Sequence, residues 1–163
     1  MTMKYKIPKK INQIIGLGAV AGMRTMAAPA LLSHYLHHHP SKRIRGTNLH
    51  FIQTGKAATI FKILAAGELI GDKLPFTPNR TEPGGLIGRG VAGALVGAAL
   101  ASTQGKKYYA AGAGIGMLSA LVSTYVFYLL RKKLTDNTLL PGAYWGVMED
   151  VLAVKGGQKV LEP

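Results

Sequence analysis

The chain contains no cysteine, and it has only seven acidic residues against 20 lysines and arginines in 163 positions. The absence of cysteine excludes disulfides, a thiol nucleophile and any cysteine-ligated metal site. Charged residues make up 17% of the chain, below the usual quarter for soluble proteins, whereas apolar residues make up 48%. The mean hydropathy is +0.18, because basic loops dilute the apolar runs. The length fits a single domain over residues 1–163.

The net charge of +13 suits either nucleic acid or anionic lipid headgroups as a partner. No base-stacking motif or recognition-helix pattern occurs, and the bases lie between apolar runs. We therefore expect the lipid bilayer and its anionic headgroups as partners, and no nucleic acid. The 21 glycines are concentrated with alanine inside the apolar runs, which is typical of packed transmembrane helices.

Five apolar elements follow one another along the chain. Residues 108–130 form the strongest membrane span, because they exceed the roughly 20 residues needed to cross a bilayer and carry no charge. Residues 11–36 are also long enough to cross, with a kink expected at Pro29. The pattern predicts an all-α integral membrane bundle of four to five helical elements, two of them short or re-entrant. The expected bounds are 11–36, 57–72, 86–103, 108–130 and 143–154.

Glycine spacing indicates how these helices pack. Three elements carry glycines four residues apart, which predicts close helix contact: Gly18 and Gly22, Gly93 and Gly97, Gly112 and Gly116. Such faces also mediate the assembly of copies, so a homo-oligomer is one alternative. The first and last pairs each precede a methionine, a long apolar run and a short element with two acids, a weak sign of an inverted repeat. Chance similarity between glycine-rich helices is the other interpretation.

The expected topology gives no orientation, because bases are almost equally shared between its two sides. One side holds Lys4, Lys6, Lys9, Lys10, Lys73, Arg80, Arg131, Lys132 and Lys133, and the other holds Lys42, Arg43, Arg45, Lys56, Lys106, Lys107, Lys155 and Lys159. This balance favours a topology in which one short element does not cross. Insertion of the protein in both directions is the alternative.

Charges inside the apolar elements mark the candidate site. Glu68 and Asp72 are four residues apart, so they share a helix face, and Lys73 follows them. Charge at membrane depth is expensive, so we expect these acids to meet bases within the bundle. The predicted ion-pair or substrate-site residues are Arg24, Glu68, Asp72, Lys73, Arg89, Glu149 and Asp150. Their function would be to bind a proton or a cation, or to surround an anionic headgroup.

Several interpretations of this charge cluster stay open. The first is a transporter-like or channel-like protein, and the second is a structural protein whose ion pairs only hold helices together. The third is a lipid-phosphate enzyme, although no catalytic spacing is recognisable and no cofactor is expected. His34, His37 and His38 share a possible helix face and are weak candidates for a metal site, with an interfacial polar collar as the alternative.

Four motifs together resemble the domain-of-unknown-function 4126 family. They are Gly22-Met-Arg-Thr with the later Pro29, Glu68-Leu-Ile-Gly-Asp-Lys-Leu-Pro75, Gly88-Arg-Gly-Val-Ala-Gly93 and Glu149-Asp-Val-Leu-Ala153. The second motif is the most specific of them. The resemblance covers most of the chain, and it implies a small multi-span protein of the bacterial inner membrane. It implies no activity.

Overall fold

The structure, a computed structural model, describes residues 10–71, 82–137 and 142–162, and its regular elements there are all helices. Six α-helices occur in these residues, and no strand does: α1 (Ile11–Met23), α2 (Ala27–His38), α3 (Gly55–Gly71), α4 (Pro83–Ser102), α5 (Tyr109–Asn137) and α6 (Gly142–Leu161). Two short 3-10 helices, Asn48–Gln53 and Lys106–Tyr108, precede α3 and α5. The all-α prediction is therefore confirmed, although the expected count of four to five elements is too low.

The predicted single helix over residues 11–36 is wrong, because it is divided near its middle. Helix α1 ends at Met23, and Arg24 takes an extended conformation with φ −140° and ψ 113°. Helix α2 begins at Ala27, which places Pro29 in its first turn. Prolines are tolerated there because the first N–H groups of a helix have no intrahelical partner. Pro29 therefore helps to start a second helix, and the expected kink does not form.

Glycines bring α4 and α5 into backbone contact. A Cβ atom added to Gly93 would lie 2.5 Å from the carbonyl oxygen of Gly116, and one added to Gly97 would overlap the carbonyl oxygen of Gly112. Helix α1 uses the same face of α5, since a Cβ on Gly18 would lie 2.7 Å from the Gly116 oxygen. The glycine faces predicted from the sequence are thus the faces along which α1, α4 and α5 meet.

Hydroxyl groups join α1 to α5 and establish that these helices run in the same direction. Ser119 Oγ donates to the Ile15 carbonyl (2.6 Å), and Ser123 Oγ donates to the Ala19 carbonyl (2.8 Å). The residue numbers rise together on both helices, so α1 and α5 are parallel. An inverted repeat that equated these two helices would make them antiparallel. The possible inverted repeat, of which the sequence gives only a weak sign, is therefore not formed by these two helices.

Helices α1 and α2 form a hairpin. Gly157 of α6 lies against both Val20, one turn before the break at residues 24–26, and Leu31, one turn after the start of α2. The two helices therefore run side by side, in opposite directions, past the same point of α6. Beyond α2, Arg43 Nη1 donates to the Gln104 carbonyl (2.7 Å) in the α4–α5 turn. The chain thus returns to the end of the bundle at which α5 starts.

The remaining helices continue this alternation of direction. Gly55, at the start of α3, lies beside the His37 ring at the end of α2. Helix α4 runs antiparallel to α5, and α6 returns alongside α1 until Val160 lies against Gly16. Successive helices from α1 to α6 therefore alternate in direction.

Two segments are long and apolar enough to cross a membrane, Pro83–Ser102 and Lys106–Thr135. The α4 segment is more than half buried inside the bundle, whereas the α5 segment is only 22% buried. Exposed apolar side chains run along the outer face of α5: Leu118, Val122, Tyr125, Val126 and Leu129. These features are compatible with a membrane protein.

Candidate functional site

The tip of the α1–α2 hairpin is capped by a carboxylate from another helix. Glu68, in the last turn of α3, accepts hydrogen bonds from the backbone nitrogens of Thr25 (to Oε1) and Met26 (to Oε2), both at 2.8 Å. No side-chain cap is supplied by Met26, the residue at the N-cap of α2. The unsatisfied N–H groups and the positive end of the helix dipole both favour an anion at this position. Glu68 supplies that anion.

The same tip carries a buried ion pair. Nε and Nη2 of Arg24 both lie 2.5 Å from Oδ1 of Asp150 on α6. The Arg24 side chain is 7% exposed and that of Asp150 is 20% exposed, so water screens this pair only weakly. The pair ties α6 to the hairpin at the point where α1 ends.

The depth of the tip can be read from α5. Thr124 Oγ1 donates to the carbonyl of Gly22, two residues before Arg24 (3.1 Å). Thr124 is seven residues before Arg131, or roughly 10 Å along the helix axis. The tip therefore lies beside the uncharged stretch of α5, on the side nearer Arg131.

A cavity of about 230 Å³ opens beside the tip, between α2, α3 and α6. Four charged side chains line it: Arg24, Lys62, Glu68 and Asp150. Its other walls are apolar and mostly small: Ala27, Ala30, Leu31, Ala65, Ala66, Leu69 and Val154. A drug-sized ligand usually needs at least about 300 Å³, so this volume suits a small solute or a few waters.

The structure gathers three of the predicted site residues, Arg24, Glu68 and Asp150, around this cavity. Arg89 and Glu149 are buried, 6% and 4% exposed, but neither lines the cavity. Asp72 and Lys73 lie outside the described residues.

Lys62 lines the site, although it is not among the site residues predicted from the sequence. Its Nζ lies 3.0 Å from Nδ1 of His34, and its side chain lines the cavity. The available signal was a lone charge inside an apolar helix, the same signal that identified Arg24. The backbone donors of Thr25 and Met26 carried no side-chain signal at all.

The histidines at the end of α2 pack on one another. The rings of His34 and His38 meet edge to face with centroids 4.5 Å apart, and Nδ1 of His38 bonds the His34 carbonyl at 2.9 Å. Among the residues that the structure describes, no three His, Asp or Glu side chains are placed to hold a metal ion. The weak metal-site alternative for His34, His37 and His38 therefore has no geometric support.

A family model described as a domain of unknown function, DUF4126, matches residues 11–156. The chain belongs to the DUF4126 family, which confirms the resemblance seen in the sequence. Searches of curated proteins and of solved structures found no match. Because the family description names no activity, function has to be argued from the site itself.

Proposed function

We propose that this chain is an integral membrane protein with a transporter-like function. Glu68 would take up and release a proton at the hairpin tip, and a small solute would occupy the adjoining cavity. The observation that carries the proposal is the carboxylate of Glu68 on the two backbone N–H groups that immediately precede helix α2, beside an ion pair and an open volume. Placement in a membrane is supported by the two long apolar helices and by the exposed apolar face of α5.

Protonation of Glu68 would loosen the contact between α3 and α2. The ionised carboxylate is the better acceptor for two backbone N–H groups, and it is also favoured by the positive end of the α2 dipole. A neutral carboxylic acid loses the charge term and bonds the amides more weakly. Acidification would therefore free α3 to shift relative to the hairpin tip, and this shift would open the cavity.

The freed N–H groups would then suit an anion. A small carboxylate or phosphate could take the position that Glu68 vacates, because helix N-termini bind anions through the same donors. Arg24 and Lys62 line the same cavity and would add positive charge. The ionised Glu68 carboxylate and the anion would thus compete for the same backbone N–H groups. Proton uptake by Glu68 would therefore favour anion binding, which couples the two.

A flux assay in liposomes tests this proposal. The purified protein is reconstituted into vesicles loaded with a pH-sensitive dye, an acid pulse is applied, and acetate, phosphate or chloride is added in separate runs. Wild-type protein should dissipate the proton gradient faster when one of these anions is present, and Glu68→Gln should abolish the acceleration. Glu162→Gln, an exposed acid at the end of α6, is the matched control. Equal rates for wild type, Glu68→Gln and empty vesicles would refute the coupling.

A structural function is the second candidate, favoured by the exposed apolar face of α5 and by the internal pairing of Arg24 with Asp150. In that case the ion pair and the cap would only hold helices together, and the α5 face would contact other copies. Neutralising Glu68 would then lower thermal stability or oligomer yield, with no flux to change. Measuring stability and flux on the same preparations separates the two candidates.

A further inference from the structure

The alternation of helix directions redistributes the charges of this chain between two ends. The start of α1, the segment after α2, the α4–α5 turn and the end of α6 all meet at one end of the bundle. Contacts fix this arrangement: Arg43 bonds the Gln104 carbonyl, Lys106 Nζ is the nearest side-chain atom to Gly46, and Val160 lies against Gly16. We call this the basic end.

The basic end holds most of the described bases that lie outside the helix interiors: Lys10, Lys42, Arg43, Arg45, Lys56, Lys106, Lys107 and Lys159. Glu162 is the one acid among the described residues there. The opposite end has Arg131, Lys132 and Lys133 at the end of α5, together with Glu82 before α4 and the acids of the hairpin-tip site. In the topology expected from the sequence, the bases are divided almost equally between the two sides of the membrane, nine against eight. They are so divided because residues 11–36 are treated there as a single span that crosses the membrane.

We infer that the basic end contacts the anionic headgroups of the cytoplasmic leaflet, and that the hairpin tip points towards the opposite side of the membrane. Short loops rich in lysine and arginine stay on the cytoplasmic side. Each base near an anionic lipid surface strengthens the attraction roughly fivefold, an effect that falls off within about a Debye length. The inference rests on the membrane placement proposed above but is independent of any transport activity.

This topology can be measured by cysteine labelling. The chain has no cysteine of its own, so a single introduced cysteine is the only thiol that can react. Three exposed, neutral positions suffice: Asn12 at the start of α1, Asn48 after α2 and Thr135 near the end of α5. Single variants Asn12→Cys, Asn48→Cys and Thr135→Cys leave the net charge unchanged. Each is treated with a membrane-impermeant maleimide in spheroplasts of a bacterial host and in inverted membrane vesicles.

We expect Asn12→Cys and Asn48→Cys to react only in inverted vesicles, and Thr135→Cys to react only in spheroplasts. Opposite accessibility of positions 12 and 48 would overturn the inference, because α1 and α2 would then cross as one span. Labelling of both positions in spheroplasts would overturn it as well, by reversing the orientation. Recovery of all three variants in the soluble fraction would instead refute the membrane placement itself.

Two double variants that each remove two positive charges test whether the bases determine the orientation. In the Asn48→Cys background, Lys42→Gln with Arg45→Gln should raise labelling from outside above background. The matched control, Lys132→Gln with Lys133→Gln, removes two exposed bases from the other end and should leave that labelling at background. If Lys42→Gln with Arg45→Gln abolishes salt-sensitive binding of nucleic acid and leaves the orientation unchanged, the lipid partner is wrong.

Discussion

Oε2 of Glu68 lies 2.8 Å from the backbone nitrogen of Met26, although 42 residues separate them in the chain. Helix α3 therefore supplies the acceptor for the backbone that leads into helix α2. This contact allows the chain to end α1 at Met23 and to begin a new helix at Ala27 without leaving the N–H groups of Thr25 and Met26 unsatisfied. The fold and the candidate site thus depend on the same carboxylate.

Neutralising Glu68 should destabilise the protein. Glu68→Gln keeps an acceptor oxygen but loses the charge at the helix terminus, and Glu68→Ala loses both. We expect losses of about 0.5–2 kcal/mol in the free energy of unfolding, larger for alanine than for glutamine. Thermal unfolding in detergent measures this, with Glu162→Gln expected to behave as wild type. If neither Glu68 variant changed the free energy of unfolding, the hydrogen bonds of Glu68 to the hairpin tip would not contribute to stability.

Removing one partner of the buried ion pair should cost more. Breaking a fully buried pair costs about 3–5 kcal/mol, and the partial exposure of Asp150 should reduce that to about 1–3 kcal/mol for Asp150→Asn. A double-mutant cycle with Arg24→Gln should give a coupling energy of about 0.5–3 kcal/mol. The exposed Lys155→Gln on α6 is the control for a change of charge alone. Additive effects of the two single substitutions would contradict a direct pairing.

Substitution by alanine should have different effects on stability at two glycines of α5 that are only two residues apart. A Cβ on Gly112 would overlap the side chain of Ala101 and the carbonyl oxygen of Gly97, whereas a Cβ on Gly114 would meet nothing within 4 Å. Gly112→Ala should therefore separate α4 from α5 and destabilise by about 1–3 kcal/mol. Gly114→Ala should be neutral or stabilising by up to about 1 kcal/mol, because alanine is the better helix former. Similar melting temperatures for the two variants would argue against the close α4–α5 contact.

The hydroxyl contacts between α1 and α5 should each contribute modestly. Ser123→Ala removes the bond to the Ala19 carbonyl and should cost about 0.6 kcal/mol, with roughly 1.7 kcal/mol as the upper end for such bonds in membranes. Thr59→Ala is a suitable comparison, because that hydroxyl bonds the Gly55 carbonyl within its own helix. Chemical denaturation of both variants should show a loss for Ser123→Ala only. A larger loss for Thr59→Ala would reverse the expected ranking.

Helix type and close packing could be predicted from the sequence because both depend on local features. Apolar runs without charge specify helices, and glycines four residues apart specify faces on which backbones can approach, as Gly93 and Gly97 do. The gathering of Arg24 with an acid of the last helix also followed from charge, since buried bases need partners. Which acid would pair with it did not follow.

The break after Met23 could not be predicted, for a physical reason. Met26, the residue at the N-cap of α2, supplies no side-chain cap, and the group that bonds the amides of Thr25 and Met26 comes from α3, 43 and 42 residues further along the chain. Local patterning therefore favoured one continuous helix with a kink at Pro29. The wrong direction of α2 then produced both the balanced charge count and the weak suggestion of an inverted repeat.

Whether Glu68 becomes protonated while it bonds the hairpin tip is tested most directly by NMR. The signals to follow are the backbone amides of Thr25 and Met26 as the pH is lowered. In ¹⁵N-labelled protein in detergent micelles, both amide resonances should shift together on acidification, as the carboxylate that accepts their hydrogen bonds becomes neutral. In Glu68→Gln neither resonance should show that transition, while Glu162→Gln should titrate as wild type. A wild-type protein whose Thr25 and Met26 amides do not respond to pH, or respond equally in Glu68→Gln, would contradict the proposed coupling at the hairpin tip.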